Sequence, residues 1–295
     1  MSFYLPYKQM RKPDLIKLRG NKLIQIHLIC QHSAPADIIA AMKRALTIAG
    51  SDPTGGAGLQ ADIKTFHACG VYGLSAVAAL TAQNTAMVAK SQAVPPEFLK
   101  KQLDTLLSDI RPDAVKTGML YSVGSILVVA DAIKGYELEN VVIDPVTISS
   151  TGAELIEREG FELLKSRLFP LARVITPNIY EATALSGVRI DTPADMENAA
   201  LALRELGPDV IIITGGHLEH ETLDLVYNGH TMHRIAGRKV PGEYHGTGCA
   251  FSAALAAHLA LGAPVVTAAE KAHEFVRRAI GHAITLGRRM KILNV

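Results

Sequence analysis

An α/β fold on a mostly parallel sheet is what this 295-residue sequence predicts. From Ala45 onward, short β-rich runs alternate with longer helical patterns, which implies right-handed βαβ crossovers. The chain is 48% hydrophobic but only 5% aromatic, with no Trp, and a core of Ala, Val, Ile and Leu suits buried parallel strands covered by helices. Apolar runs flank Asn228-Gly229 between Leu223 and Ile235, which reads as a hairpin and an antiparallel edge.

In chain order, strands are expected at 45–49, 74–80, 114–116, 141–143, 173–175 and 210–213, each a short apolar run. Helices are expected near 57–68, 122–134, 153–168, 179–186, 194–206, 247–261 and 264–286, where the apolar residues follow a helical period. Residues 1–41 have no clear period and scattered charge, so a poorly ordered leader or a mis-annotated start before Met42 is expected. Residues 42–295 are then expected to form a single domain. The apolar stretch Leu23 to Cys30 is too short to span a bilayer, and Ala34-Pro35-Ala36 makes a poor signal-peptide cleavage site.

A formal net charge of +2 without a long Lys/Arg block gives no electrostatic footprint for nucleic acid, and no segment calls for a membrane. Cys30, Cys69 and Cys249 are odd in number and widely spaced, unlike a disulfide framework or a zinc site. A reducing, cytoplasmic compartment is the expectation.

Three groups of residues carry chemistry. The first strand runs into Gly50-Ser51-Asp52-Pro53-Thr54-Gly55-Gly56-Ala57-Gly58, at the carboxyl end of a strand where open α/β sheets bind ligands. It lacks the Gly-Lys-Ser/Thr ending of a P-loop, and a plain tight turn is the alternative. Asp62, one turn into the following helix, is either a solvated charge or a site residue. The second group, His245-Gly246-Thr247-Gly248-Cys249, opens a helix of small apolar residues, so free N–H groups and the helix dipole would form an anion hole. Cys249 in that first turn is expected to have a lowered thiol pKa. A structural turn with a buried Cys is the alternative. In the third group Asp144, Asn178 and Glu181 follow successive strands, where two carboxylates could reach one Mg²⁺ or merely cap turns. Thr214-Gly215-Gly216 offers another turn suited to a nucleotide.

With those residues in view, the chain resembles the hydroxymethylpyrimidine/phosphomethylpyrimidine kinases, within the ribokinase-like superfamily. The resemblance runs from about Ala45 to Leu286 through ALTIAGSDPTGGAGLQADIKTF, ALTAQNT, VKTGML, VVIDPV, ITPNIYEA, ITGGHL and HGTGCAFSAALAA. It implies a three-layer ribokinase-like fold with helices on both faces of the sheet. It also implies an ATP-dependent enzyme of thiamine biosynthesis that phosphorylates a hydroxymethyl oxygen and then the resulting monophosphate. Carried over by position, Cys249 takes the place of the catalytic Asp of sugar kinases, with Gly246, Thr247 and Gly248 as the anion hole. Gln83 meets the aminopyrimidine edge, and Gly50, Ala57, Met119, Val146 and Asp62 complete the substrate side. Asp144 and Glu181 organise Mg²⁺, while Asn178, Thr214 and Gly216 face ATP. A homodimer is also implied.

The sequence departs from that pattern in places. Ser150 and Thr214 stand where many members carry Lys, and Thr214 is shared with pyridoxal-phosphorylating relatives. The C-terminal stretch offers Arg288, Arg289 and Lys291, expected to be a solvated tail. Pyridoxine or pyridoxal kinase is thus the nearest alternative, and a non-catalytic pyrimidine sensor the alternative from another class.

Overall fold

The computed structural model describes residues 42–147, 155–216 and 221–295. Expectations that rest on residues 1–41 or on Ser150 therefore lie outside the described residues. The alternating pattern folds as expected: strands β1 (Arg44–Ser51), β2 (Tyr72–Gln83), β4 (Ala114–Thr117), β5 (Val141–Ile143), β6 (Val174–Ile175) and β7 (Val210–Ile213) run parallel. The Asn228-Gly229 turn joins β8 (Glu221–Tyr227) to β9 (Met232–Arg238), and both extend the sheet antiparallel beyond β7. Strand β3 (Val88–Ala93), absent from the sequence expectations, pairs antiparallel with β2. The resulting nine-stranded order is β3-β2-β1-β4-β5-β6-β7-β8-β9.

Both faces of this sheet are covered, and the strand residues show how. Along β7, Ile211 and Ile213 belong to the core that also takes in side chains of α2 (Pro96–Leu107), α3 (Val123–Gly135), α5 (Ile179–Ser186) and α6 (Pro193–Arg204). Their neighbours Val210 and Ile212 pack with α7 (Thr247–Ala260) and α8 (Val265–Gly281) on the opposite side. A strand alternates its side chains between faces, so a continuous apolar run is what two covering layers require. Helix α1 (Gly58–Ala68) adds Phe66 to the second layer, and α4 (Arg158–Leu163) runs on through a π-helical turn at Leu164–Leu168. Helix α2 was not among the expected elements, although Leu99, Leu103 and Leu107 form its buried stripe behind Pro96 at its start.

Among the described residues, Met42–Val295 forms one compact unit. A two-stranded pair, β10 (Tyr244–His245) with β11 (Lys291–Ile292), ties the C-terminal segment to the loop before α7. The expected solvated tail is thus corrected in part. Arg288, Arg289 and Lys291 are exposed, but Met290, Ile292 and Leu293 are buried. No helix of the described residues is long and apolar enough to cross a membrane.

Candidate active site

Six parallel strands place their carboxyl ends along one edge, and the chemistry-bearing residues gather there. The strand order reverses beside β1, which lies between β2 and β4, and such a switch point opens a crevice for ligands. The glycine loop after β1 and the 117–119 turn after β4 meet at that point, where the Met119 side chain packs against Gly50. Met119 also clusters with Ala79 and Leu155, with Val146 packed alongside. The structure therefore brings Gly50, Met119 and Val146 into one apolar wall, and Gln83 stands at the end of the neighbouring strand β2.

Opposite this wall, Gly246 starts α7 with φ of 84°, a left-handed conformation that glycine adopts without strain. A β-carbon here would collide with the Gly56 carbonyl oxygen, so the two glycine loops lie in direct contact. No side chain caps the N-terminus of α7, and the space beside Gly248 is open. The first-turn N–H groups of Thr247, Gly248 and Cys249 are thus left without a side-chain cap, as an anion hole would require.

The Cys249 expectation needs correction. Although the residue keeps part of its surface open, loss of hydration dominates and pushes its thiol up to about 12. Lys116 and the Gly58 N–H oppose that shift, while Asp144 and Asp62 reinforce it. Helix-terminus stabilisation is the weaker effect here, because burial outweighs it and two nearby carboxylates add to the burial.

Asp62 also differs from the sequence reading. It is fully buried, it receives Thr47 Oγ1 at 2.6 Å, and both its oxygens accept from Lys116 Nζ, at 3.0 and 2.9 Å. Nothing of it is left to touch a substrate. Its task is to hold Lys116, itself fully buried on β4, whose ammonium reaches to 3.9 Å from Asp144 Oδ2. Burial acts against that charge, but the carboxylates of Asp62 and Asp144 outweigh it and keep Lys116 protonated. Sequence reasoning missed Lys116, although a Lys inside an apolar strand signals a buried charge in need of partners.

Asp144 follows β5 and accepts Ser252 Oγ at 2.8 Å. Glu181 closes a capping box with Asn178 at the start of α5: Asn178 N–H donates to Oε2 at 3.0 Å and Glu181 N–H donates to Asn178 Oδ1 at 3.0 Å. Thr147 N–H points at the other Glu181 oxygen, 3.4 Å away. The capping alternative is therefore real for Glu181, with Asn178 as its partner, yet it does not exhaust Glu181. Burial first, then the Asp144 charge, raises the Glu181 carboxyl to about 8. Burial likewise raises Asp144, against Lys116 and Ser252. On either side of Asp144 in the strand order, the buried hydroxyls of Thr117 and Thr176 have no partner among the described residues.

On the nucleotide side, Thr214 pairs with Asn178 in an isolated bridge, and its N–H donates to the Pro177 carbonyl at 3.0 Å. Gly215 N–H is held by Asp224 at 3.0 Å, and nothing crowds Gly216. Ala57 caps α1 and donates its N–H to Asp52 Oδ2 at 2.9 Å. Asp52 had no assigned role from sequence, but it collects three further hydrogen bonds: Thr54 N–H at 2.8 Å, Thr54 Oγ1 at 2.9 Å and His245 Nε2 at 2.8 Å.

Comparison with known proteins agrees with this geometry. The phosphomethylpyrimidine kinase family model matches residues 52–294. The thiamine biosynthesis bifunctional protein ThiED of Geobacter sulfurreducens is 45% identical over 82% of this chain, which spans 50% of that longer protein. A hydroxymethylpyrimidine/phosphomethylpyrimidine kinase of Synechococcus elongatus is 41% identical over 84% of this chain and 95% of its own. Among solved structures, a Bacillus subtilis pyridoxal kinase in complex with ADP superimposes with a TM-score of 0.79 at 39% identity, covering 86% of this chain and 97% of that one. The three-layer sheet, the two facing glycine loops and a match across nearly all of the described unit lead to one assignment: this chain belongs to the phosphomethylpyrimidine kinase family, with a ribokinase-like fold.

Proposed function

We propose that residues 42–295 transfer a phosphoryl group from ATP to the hydroxymethyl oxygen of 4-amino-5-hydroxymethyl-2-methylpyrimidine, and then to the monophosphate so formed, in thiamine biosynthesis. The observation that carries this reading is the convergence at one sheet edge of the uncapped α7 terminus, the Lys116 ammonium and the carboxylates of Asp144 and Glu181. Phosphoryl transfer asks a protein chiefly for alignment and for stabilisation of spreading negative charge.

The donor set fits Mg²⁺. Two buried carboxylates, both raised first by burial and one of them, Glu181, raised further by the Asp144 charge, favour a hard divalent cation with oxygen ligands. Among the described residues no three or more His, Cys, Asp or Glu are placed to hold a metal ion by themselves, so the remaining ligands would be phosphate oxygens and water. When bound, the ion would supply positive charge that neutralises the nucleotide phosphates. Asp144 and Glu181 would hold it, while the first-turn N–H groups of α7 receive the phosphoryl oxygens. Asn178, Thr214 and Gly216 would line the ATP side. Cys249, with its thiol pushed up to about 12, enters as a neutral thiol that orients the acceptor hydroxyl rather than as a ready base.

A second reading, pyridoxine or pyridoxal phosphorylation, is favoured by Thr214 and by the likeness to the pyridoxal kinase fold. One experiment separates the two: purified protein with Mg-ATP and either the hydroxymethylpyrimidine or pyridoxine, products identified by mass. Pyrimidine mono- and diphosphate support the first reading, and phosphate on pyridoxine alone overturns it. The unpaired thiols of Cys69 and Cys249 support the expected reducing cytoplasm. Exposed Tyr72, Leu80 and Met87 on and beside β2 support the expected homodimer, which light scattering tests.

A further inference from the structure

We infer that Asp52 and His245 form a positioning couple that locks the two glycine loops together and turns the Gln83 amide so that its NH₂ end faces the substrate ring. This inference rests on the pyrimidine reading above. Neither Asp52 nor His245 belongs to the substrate, nucleotide or metal sets already assigned.

The couple is built and buried. Asp52 is 3% and His245 6% exposed, and His245 Nε2 lies 2.8 Å from Asp52 Oδ2. The imidazole also covers Gly56, where a β-carbon would come within 2.7 Å of His245 Cδ2, so the ring seats only over a glycine. Ile292 of β11 packs on the same Gly56, and β11 pairs with the strand that carries His245. The ring is thus held by one carboxylate, one glycine and one strand.

Its consequence for Gln83 follows from proton counting. Burial works against ionisation of Asp52, but the hydrogen bonds from His245 and Thr54 outweigh it and hold the carboxyl below its usual range. A charged Asp52 accepts, so the proton between it and the imidazole sits on His245 Nε2. In the structure the Gln83 amide nitrogen lies 3.2 Å from that same Nε2, and the two ends of an amide are told apart only by the hydrogen bonds they can make. An NH₂ group finds no acceptor on a nitrogen that already carries hydrogen, whereas the amide oxygen takes a share of its N–H. Gln83 Oε1 therefore turns to His245, and its NH₂ is presented outward as a donor. The ligand class selected is a ring with an acceptor nitrogen beside its amino carbon.

Two probes test this: 4-amino-5-hydroxymethyl-2-methylpyrimidine and its analogue in which that ring nitrogen is replaced by C–H. For the wild-type protein, KM for the analogue is expected to rise about 10-fold or more over the parent, with KM for ATP unchanged. In Asp52→Asn, an amide donates to His245 and moves the proton off Nε2. Gln83 then donates its NH₂ inward, and the discrimination should collapse towards 1-fold at unchanged KM for ATP. His245→Phe should lose the same discrimination. A folded variant that keeps the wild-type ratio overturns the couple, as does a wild-type protein that binds both probes alike. Nitrogen-15 spectra of wild-type histidine side chains provide a readout independent of any variant: His245 is expected to be protonated at Nε2, and a bare Nε2 overturns the inference. If the wild-type protein phosphorylates no pyrimidine, the functional reading fails, while the nitrogen spectrum still decides whether the couple exists.

Discussion

Replacing Lys116 by Met should be among the most damaging single changes outside direct substrate contact. Lys116 and Asp62 are both fully buried, and the ammonium lies within 3.0 Å of both carboxylate oxygens. Removing one partner of such a pair leaves the other charge stranded, at a typical cost of about 3–5 kcal/mol. Protonation of Asp62, which burial already favours and which Thr47 Oγ1 still contacts, holds the loss towards the lower end. At about 2–4 °C per kcal/mol for a domain of this size, Tm should fall by roughly 6–20 °C. Lys116→Met/Asp62→Asn keeps the Thr47 contact and removes the stranded charge, so most of the stability should return. Turnover should not return, because the ammonium 3.9 Å from Asp144 is still gone. Differential scanning calorimetry and steady-state kinetics on both variants provide the check. A single variant that melts within 2 °C of the wild type, corresponding to less than about 1 kcal/mol, would refute the buried-pair account. So would a double variant no more stable than the single one.

Other perturbations probe the remaining parts of the site. Cys249→Ser keeps a group able to orient the hydroxyl and should retain kcat to within about 10-fold, whereas loss of a general base costs about 10²–10⁴; single-turnover rates distinguish the two. Gly246→Ala forces a left-handed side chain into the Gly56 carbonyl, so it should lower Tm and abolish turnover together, beyond the about 1–2 kcal/mol of the conformation alone. Glu181, raised from its ordinary 4.5 to about 8, binds more protons folded than unfolded between those values. The metal-free protein should therefore lose stability as pH rises through that window, and Mg²⁺ should raise Tm more at pH 8 than at pH 6. Glu181→Gln should remove both effects in a thermal-shift titration.

Much of the architecture was legible because a parallel strand buried on both faces must be apolar throughout, as Val141-Val142-Ile143 and Val210 to Ile213 are. Strand β3 was not, since Val88–Ala93 carries Lys90, Ser91 and Gln92 and owes its conformation to pairing with β2. Helix α2 had its signals in Pro96 and the four-residue spacing of its leucines, but its charged residues masked them. At the site, strand ends and glycine turns pointed to one edge of the sheet, where the structure gathers the candidate residues. Local pattern had no means of showing that Asp62 spends its carboxylate on Lys116, 54 residues away. The Cys249 thiol went the other way from expectation because desolvation and two nearby carboxylates outweigh a helix terminus.

The distance along the chain between Asp52 and His245, 193 residues, also bears on how the protein folds and fails. Closing so long a loop has a high entropic cost before any contact compensates it, so this junction should form late, after the neighbouring parallel strands have paired. The same logic runs backwards on heating. The junction between the glycine loops can open while the sheet stays intact, and activity should then fade at temperatures where the helical signal is still native.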